Sequence, residues 1–190
     1  MALCGETALD SATLTAMNIV LIGYRGSGKS SVGKRMANEL WKKFIDTDAE
    51  VCKRFGGISI AEIWDQHGEA AFRAAECEVA AEVLKKDDQV IALGGGTVMQ
   101  PAAREALMAA KDTVRVYLQC EPAVLADRLA GDTATRESRP NLTAHGGGVA
   151  EIEAVLAERE PVYRDVADHE LEVTRMTLDD VVRHIIKLFL

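Results

Sequence analysis

Met17-Asn18-Ile19-Val20-Leu21-Ile22-Gly23-Tyr24-Arg25-Gly26-Ser27-Gly28-Lys29-Ser30 runs from an apolar β-type segment straight into a glycine-rich turn. Its last eight residues fit the pattern GxxxxGK[ST]. Apolar residues then recur at Val32, Met36, Ala37 and Leu40, the spacing of a helix over about 29–41. Strand, loop and helix in that order suit a loop whose inward-turned N–H groups cradle phosphate, with the helix N-terminus adding a favourable dipole. Gly26, Ser27, Gly28, Lys29, Ser30 and Ser31 are therefore candidate nucleotide-binding residues. Lys29 reaches for the β- and γ-phosphates, and the Ser30 hydroxyl is a candidate ligand of Mg²⁺. The motif does not separate a kinase from an ATPase or a switch protein.

Outward from this loop, short β-type runs alternate with helical patterns. Further strands are predicted at Phe44-Ile45, over about 89–93, 113–118 and 170–173. Helices are predicted near 48–55, from Ser59, over about 69–85, from Pro101 to about 110, from Glu121-Pro122, over 149–160, and after Thr177. Ser59-Ile60-Ala61-Glu62 has the form of a capping box. This alternation predicts an α/β fold, three layers α/β/α, around a parallel sheet of about five strands. Residues 1–16 read as a disordered N-terminal extension and 17–190 as one domain. The polar, glycine-rich stretch over about 131–148 lacks hydrophobic periodicity and reads as a mobile lid insertion.

The chain has 190 residues, 48% hydrophobic and 27% charged, values of a globular protein with a real core. No apolar run approaches the ~18 residues that cross a bilayer, so no membrane partner is expected. A formal charge of −8 without basic blocks argues against nucleic acid, although a local basic pocket can still take a small anion. Four dispersed cysteines and no basic, apolar leader predict reduced thiols and a cytoplasmic location. The four histidines are scattered, which makes a histidine metal site or triad a poor reading. Size alone suggests a monomer.

Four clusters follow predicted strands, on the edge where open parallel sheets bind ligands, and are candidates for the acceptor site. Asp46-Thr47-Asp48 can send one carboxylate to a metal and the other to a substrate hydroxyl, or can simply cap a helix. Arg73 and Glu76 share a helix face at i, i+3, where the acid holds a guanidinium for an anion or forms only a solvated ion pair. Gly94-Gly95-Gly96 allows close backbone approach, or is a tight turn. The last cluster comprises Arg128, Arg136, Arg139-Pro140 and Arg159-Glu160-Pro161-Val162-Tyr163, in which a lid arginine can stabilise charge on a transferring phosphoryl group.

Taken together, these motifs and their order resemble shikimate kinase, a small family of P-loop kinases related to the nucleoside monophosphate kinases. The resemblance spans nearly all of 17–190 and rests on the phosphate loop, Asp46-Thr47-Asp48, Gly68-Glu69 through Phe72-Arg73 to Glu76, Gly94-Gly95-Gly96, Arg139-Pro140 and Arg159-x-Pro-x-Tyr163. It implies ATP-dependent phosphorylation of the 3-hydroxyl of shikimate, with Mg²⁺ as cofactor, on the route to chorismate and aromatic amino acids. It also implies roles. Asp48 binds the hydroxyls and assists deprotonation, and Asp46 holds Mg²⁺. Arg73 and Arg159 clamp the carboxylate, with Glu76 fixing Arg73. Gly95 and Gly96 approach the ring by backbone, and Trp64 and Phe72 line the pocket. Lys29 and Arg139 neutralise the phosphoryl group, Arg136 being the other lid candidate. Arg128 and Arg175 are candidates beside the adenine, where Arg175-Met176-Thr177-Leu178 departs from the family pattern by carrying leucine at the usual proline. A gluconate or nucleoside monophosphate kinase would keep the phosphate loop but leave Asp48, Arg73, the triple glycine and Arg159 without a shared purpose. A non-catalytic binding domain should have lost site residues.

Overall fold

The computed structural model describes residues 17–132 and 148–189. Five strands form one sheet: β1 (Asn18–Ile22), β2 (Lys43–Asp46), β3 (Gln89–Ala92), β4 (Thr113–Gln119) and β5 (His169–Glu172). Their order is β2-β3-β1-β4-β5 and every pairing is parallel. The central strand β1 is buried along its whole length, as an apolar run between two neighbours must be. The register sets Leu21 and Asp46 both opposite Ala92, so β1, β2 and β3 end within about one residue of each other.

Seven helices connect and flank the described strands: α1 (Lys29–Glu39), α2 (Thr47–Arg54), α3 (Ile60–Val83), α4 (Pro101–Ala109), α5 (Pro122–Gly131), α6 (Val149–Val166) and α7 (Leu178–Lys187). The α1 helix packs on β2, β3 and α7, while α3 packs against α4 and α6 reaches β4. Val32, Met36 and Ala37 of α1, and Ile152, Val155, Tyr163 and Val166 of α6, put helical stripes into the core. No described helix is long and apolar enough to cross a membrane.

The helix from Ser59 and the helix over about 69–85 are both present and meet at a kink within α3 at Gly68, whose φ of 83° and ψ of 158° are not helical. A residue without a Cβ takes that φ at little cost, so the chain turns there from one helix into the next. The capping box at Ser59 is present, with the Ser59 hydroxyl accepting from Glu62 N and the Glu62 carboxylate accepting from Ser59 N. One element differs from the expectation: α6 continues past 160 to Val166 with Pro161 inside it. An interior proline costs a helix about 3 kcal/mol. Burying Tyr163 and Val166, each at most 1% exposed, offsets that cost, since a fully buried large side chain contributes about 1.5–3 kcal/mol.

Residues 1–16, Arg136, Arg139, Pro140 and most of the stretch expected to be a lid lie outside the described residues.

Candidate active site

Because the strands are parallel, the loops after β1, β2 and β3 emerge on one edge of the sheet, and the site is built from them. The loop after β1 closes at Gly28, the N-cap of α1, whose φ of 98° disfavours any residue with a Cβ. Lys29 is buried, and its Nζ donates to the carbonyls of Gly23 and Tyr24 at 2.8 Å each. The loop's own carbonyls thus hold the ammonium where an anion needs it. Around the loop is a cavity of about 480 Å³, within the range of ~300–1,000 Å³ that ligand pockets occupy. Gly26, Ser27, Gly28, Lys29, Ser30 and Ser31 all line it.

The loop after β2 joins the same cavity. Ser30 Oγ donates to Asp46 Oδ2 at 2.6 Å, while Asp46 Oδ1 accepts from the backbone N–H groups of Asp48 and Ala49. Asp46 is therefore both the cap of α2 and the partner of the phosphate-loop serine. One carboxylate serves both purposes that the residue pattern left open. Thr47 between the two aspartates is fully buried, and its hydroxyl accepts from Gly94 N at 2.9 Å. This bond ties the loop after β2 to the loop after β3.

On the other side of Asp48 is a narrower cavity of about 50 Å³, lined by Arg25, Asp48, Ile60, Trp64, Phe72, Arg73, Glu76, Gly95, Gly96 and Arg159. Three guanidiniums face two carboxylates there, so the lining favours an anion. Arg73 Nη1 meets Glu76 Oε2 at 2.6 Å, and its Nη2 meets Glu69 Oε1 at 3.1 Å. The Arg73 guanidinium also lies over the rings of Trp64 and Phe72, at 5.5 and 5.3 Å from their centroids. Glu76 is 1% exposed, and its second oxygen accepts from Thr97 Oγ1 at 2.8 Å. Burial alone would lower the Arg73 pKa, but the Glu76 charge and the hydrogen bonds to Glu76 and Glu69 more than reverse this. Burial likewise pushes the Glu76 carboxyl up, with Arg73 and Thr97 pulling it partly back. The short, doubly hydrogen-bonded geometry is that of an ion pair rather than a neutral acid.

The glycine loop is held close beneath these arginines. Arg159 Nη1 donates to the Gly95 carbonyl at 3.2 Å, and Tyr163 OH donates to the same oxygen at 2.5 Å. Burial raises the Tyr163 pKa to about 12, so this phenol stays a donor at neutral pH. A Cβ on Gly96 would stand 2.8 Å from Arg73 Nη1, and one on Gly94 would run into Asp48, Thr97 Oγ1 and Glu76 Oε1. Glycine is required here for space rather than for its backbone angles.

Most of the residues singled out in the sequence thus meet around two adjoining cavities. Arg128 lines the cavity around the phosphate loop and reaches the Gly26 and Val173 carbonyls at 3.4 and 3.5 Å. Arg175 does not join it: the side chain is exposed, and Val173, Met176 and Leu178 supply that wall instead. Arg139 lies outside the described residues. Four residues of this region carry no signal of their own in the sequence. Thr47 and Thr97 are ordinary threonines until the fold buries them, and Glu151 is one acid among many on a helix. Arg25 fills a variable position of the phosphate-loop motif, so the motif itself carried no signal for it.

The family model for shikimate kinase matches residues 25–189. The shikimate kinase of Rhodopirellula baltica is 38% identical over 179 residues, 94% of this chain and 94% of its own. That of Halorhodospira halophila is 42% identical over 173 residues, 91% of this chain and 93% of its own. Among solved structures, a shikimate kinase from Acinetobacter baumannii in complex with shikimate superposes with a TM-score of 0.82 at 31% identity, covering 93% of this chain and 94% of that one. With relatives this similar over nearly its whole length, and with the fold and both cavities in place, the chain belongs to the shikimate kinase family.

Proposed function

We propose that this chain uses ATP to phosphorylate the 3-hydroxyl of shikimate, giving shikimate 3-phosphate and ADP on the route to chorismate and the aromatic amino acids. The observation that carries the site assignment is the shared wall: Asp48 lines both the phosphate-loop cavity and the arginine-lined cavity. A hydroxyl held at Asp48 can therefore face a γ-phosphoryl held at the loop, and phosphoryl transfer asks chiefly for that positioning and for charge stabilisation.

Asp48 orients the acceptor hydroxyl and takes its proton. Arg73 and Arg159 bind the substrate carboxylate. Both guanidiniums line the narrower cavity beside the glycine loop, where a carboxylate can accept from them. Gly95 and Gly96 let the ring approach the backbone, and Trp64 and Phe72 pack beside it. Gly26, Ser27, Gly28, Lys29, Ser30 and Ser31 hold the phosphates, with Arg128 beside the base. Arg139 shares with Lys29 the neutralisation of the phosphoryl group.

Ser30 Oγ and Asp46 Oδ2, 2.6 Å apart in the wall of the nucleotide cavity, fit a Mg²⁺ site, since this ion takes one or two protein oxygens and fills its shell with phosphate and water. Bound there, Mg²⁺ neutralises phosphate charge. The unit is read as one catalytic domain over 17–190 with a lid over about 131–148. It acts as a monomer, the state its size suggests, and in the cytoplasm, where ATP and reduced, dispersed cysteines belong. Its partners are the two small substrates rather than nucleic acid or membrane.

The test is ADP release at saturating ATP and Mg²⁺ with shikimate, gluconate, a nucleoside monophosphate or no acceptor. Turnover confined to shikimate supports the reading, and turnover with another acceptor alone overturns the substrate while leaving a kinase.

A further inference from the structure

Two residues, Arg25 and Asp48, are common to the linings of both cavities among the described residues. They mark the junction that the transferring group must cross. One is the carboxylate to which the acceptor hydroxyl is assigned; the other is a guanidinium, only 16% exposed, carried on the phosphate loop. Arg25 Nη2 stands 3.7 Å from Glu151 Oε1, and the Glu151 side chain is 1% exposed. Glu151 occupies the first turn of α6, the helix that also supplies Arg159 and Tyr163. The Arg25 guanidinium is further flanked by the ring of Tyr24, 5.9 Å from its centroid. Its backbone N–H group lies against the glycine loop, 3.5 Å from where a Cβ of Gly95 would stand.

A buried carboxylate is costly unless a cation compensates it, and a cation placed beside it is held in one position. Charge that moves from a nucleotide to an acceptor is best stabilised by a cation fixed at the crossing before reaction begins. We infer that Arg25 is a further functional guanidinium of this enzyme, touching the phosphoryl group at the junction of the two cavities, and that Glu151 is the positioning residue that holds it there. The inference rests on the acceptor reading given under Proposed function. It predicts that the effect of Arg25 falls on turnover rather than on nucleotide affinity. Lys29 and the loop amides keep ATP bound when the Arg25 side chain is removed. Lysine at position 25 cannot replace it fully, because a point charge does not reproduce a guanidinium fork.

The experiment compares wild type, Arg25→Ala, Arg25→Lys, Glu151→Gln and Arg25→Ala/Glu151→Gln. It reads kcat and KM for shikimate, ATP affinity from fluorescence titration, and Tm. Arg25→Ala should lower kcat about tenfold to hundredfold with the ATP Kd within about threefold of wild type, and added guanidinium ion should restore part of the rate. Glu151→Gln should lower kcat by less, and the double variant should be no slower than Arg25→Ala, because Glu151 acts only through Arg25. The double variant also removes the Glu151 charge that Arg25 compensates, so it keeps the measurement valid where Arg25→Ala folds poorly. A kcat for Arg25→Ala or the double variant within about twofold of wild type overturns the inference, whatever happens to Tm. So does a Glu151→Gln defect that persists undiminished without Arg25. Absence of shikimate turnover in the wild type overturns the acceptor reading, and this inference with it.

Discussion

The two cavities are made in different ways. The phosphate-loop side is built around one contiguous run of chain, 25–32, in which glycine, lysine and serine act from the loop itself, the Gly23 and Tyr24 carbonyls accept from Lys29, and Asp46, Arg128, Val173 and Met176 complete the wall. The second side is assembled from the phosphate loop, α2, α3, the loop after β3 and α6, and its working groups are long side chains held by second residues: Arg73 by Glu76, and Glu76 by Thr97. Glycine shows the contrast well. Gly28 is required for its φ of 98°, with nothing nearer a Cβ than Val32 Cγ2 at 3.9 Å, whereas Gly94 is required because side chains occupy the space. A backbone-built site tolerates change around it, while a side-chain site depends on every supporting residue.

The largest effect should come where the two sides meet. Asp48→Asn should reduce kcat by about 10²–10⁴-fold while leaving ATP affinity within about threefold of wild type. A variant that lost ATP binding instead would break the division between the sides.

Next in size, Arg73→Ala should raise KM for shikimate by about a hundredfold, the loss of a hydrogen-bonded charge contact. It should also lower Tm, because Glu76 would remain buried without its cation. Adding Glu76→Gln should recover stability but not KM, and steady-state kinetics beside thermal melts would separate the two effects.

A smaller effect sharpens the glycine contrast. Gly28→Ala should weaken ATP binding about tenfold through backbone strain worth roughly 1–3 kcal/mol, with KM for shikimate little changed. Gly94→Ala should do the reverse, disturbing Asp48 and Glu76 and costing about 1–3 kcal/mol of stability by overpacking. Parallel titrations with each substrate would show whether the two defects stay on their own sides.

The smallest expected effect lies away from both cavities and sets the baseline. Partial burial would raise the Asp168 pKa, but hydrogen bonds from Arg115 side chain and backbone hold it below the ordinary value of 3.8. An acid with a lowered folded pKa stabilises the fold above that ordinary value and loses its contribution as pH falls through the folded one. Asp168→Asn should therefore cost no more than about 1 kcal/mol at neutral pH, and the variant and wild type should converge in acid. Urea melts at several pH values would measure it, and kcat should be unaffected.

These differences also explain what could be read from residues alone. The phosphate loop, the alternation of strands and helices and the buried β1 are local patterns, so their periodicity and glycine placement were legible directly. Asp46, Asp48, Arg73 and Arg159 were legible as candidates through their motifs. What remained open was which of two purposes each served, since an aspartate before a helix caps that helix in most proteins. Arg175 stood in a plausible segment, yet the turn after β5 leaves it in solvent and gives the cavity wall to Val173 and Met176.

The sequence by itself determined the parallel sheet and the glycine-rich loop between β1 and α1, because each follows from local chemistry and short-range spacing. Only the tertiary structure decided that Asp46 caps α2 and pairs with Ser30 at once, that α6 runs through Pro161, and that Glu151 reaches Arg25. Those outcomes depend on burial and on contacts between residues far apart in the chain, where desolvation and packing outweigh local preference.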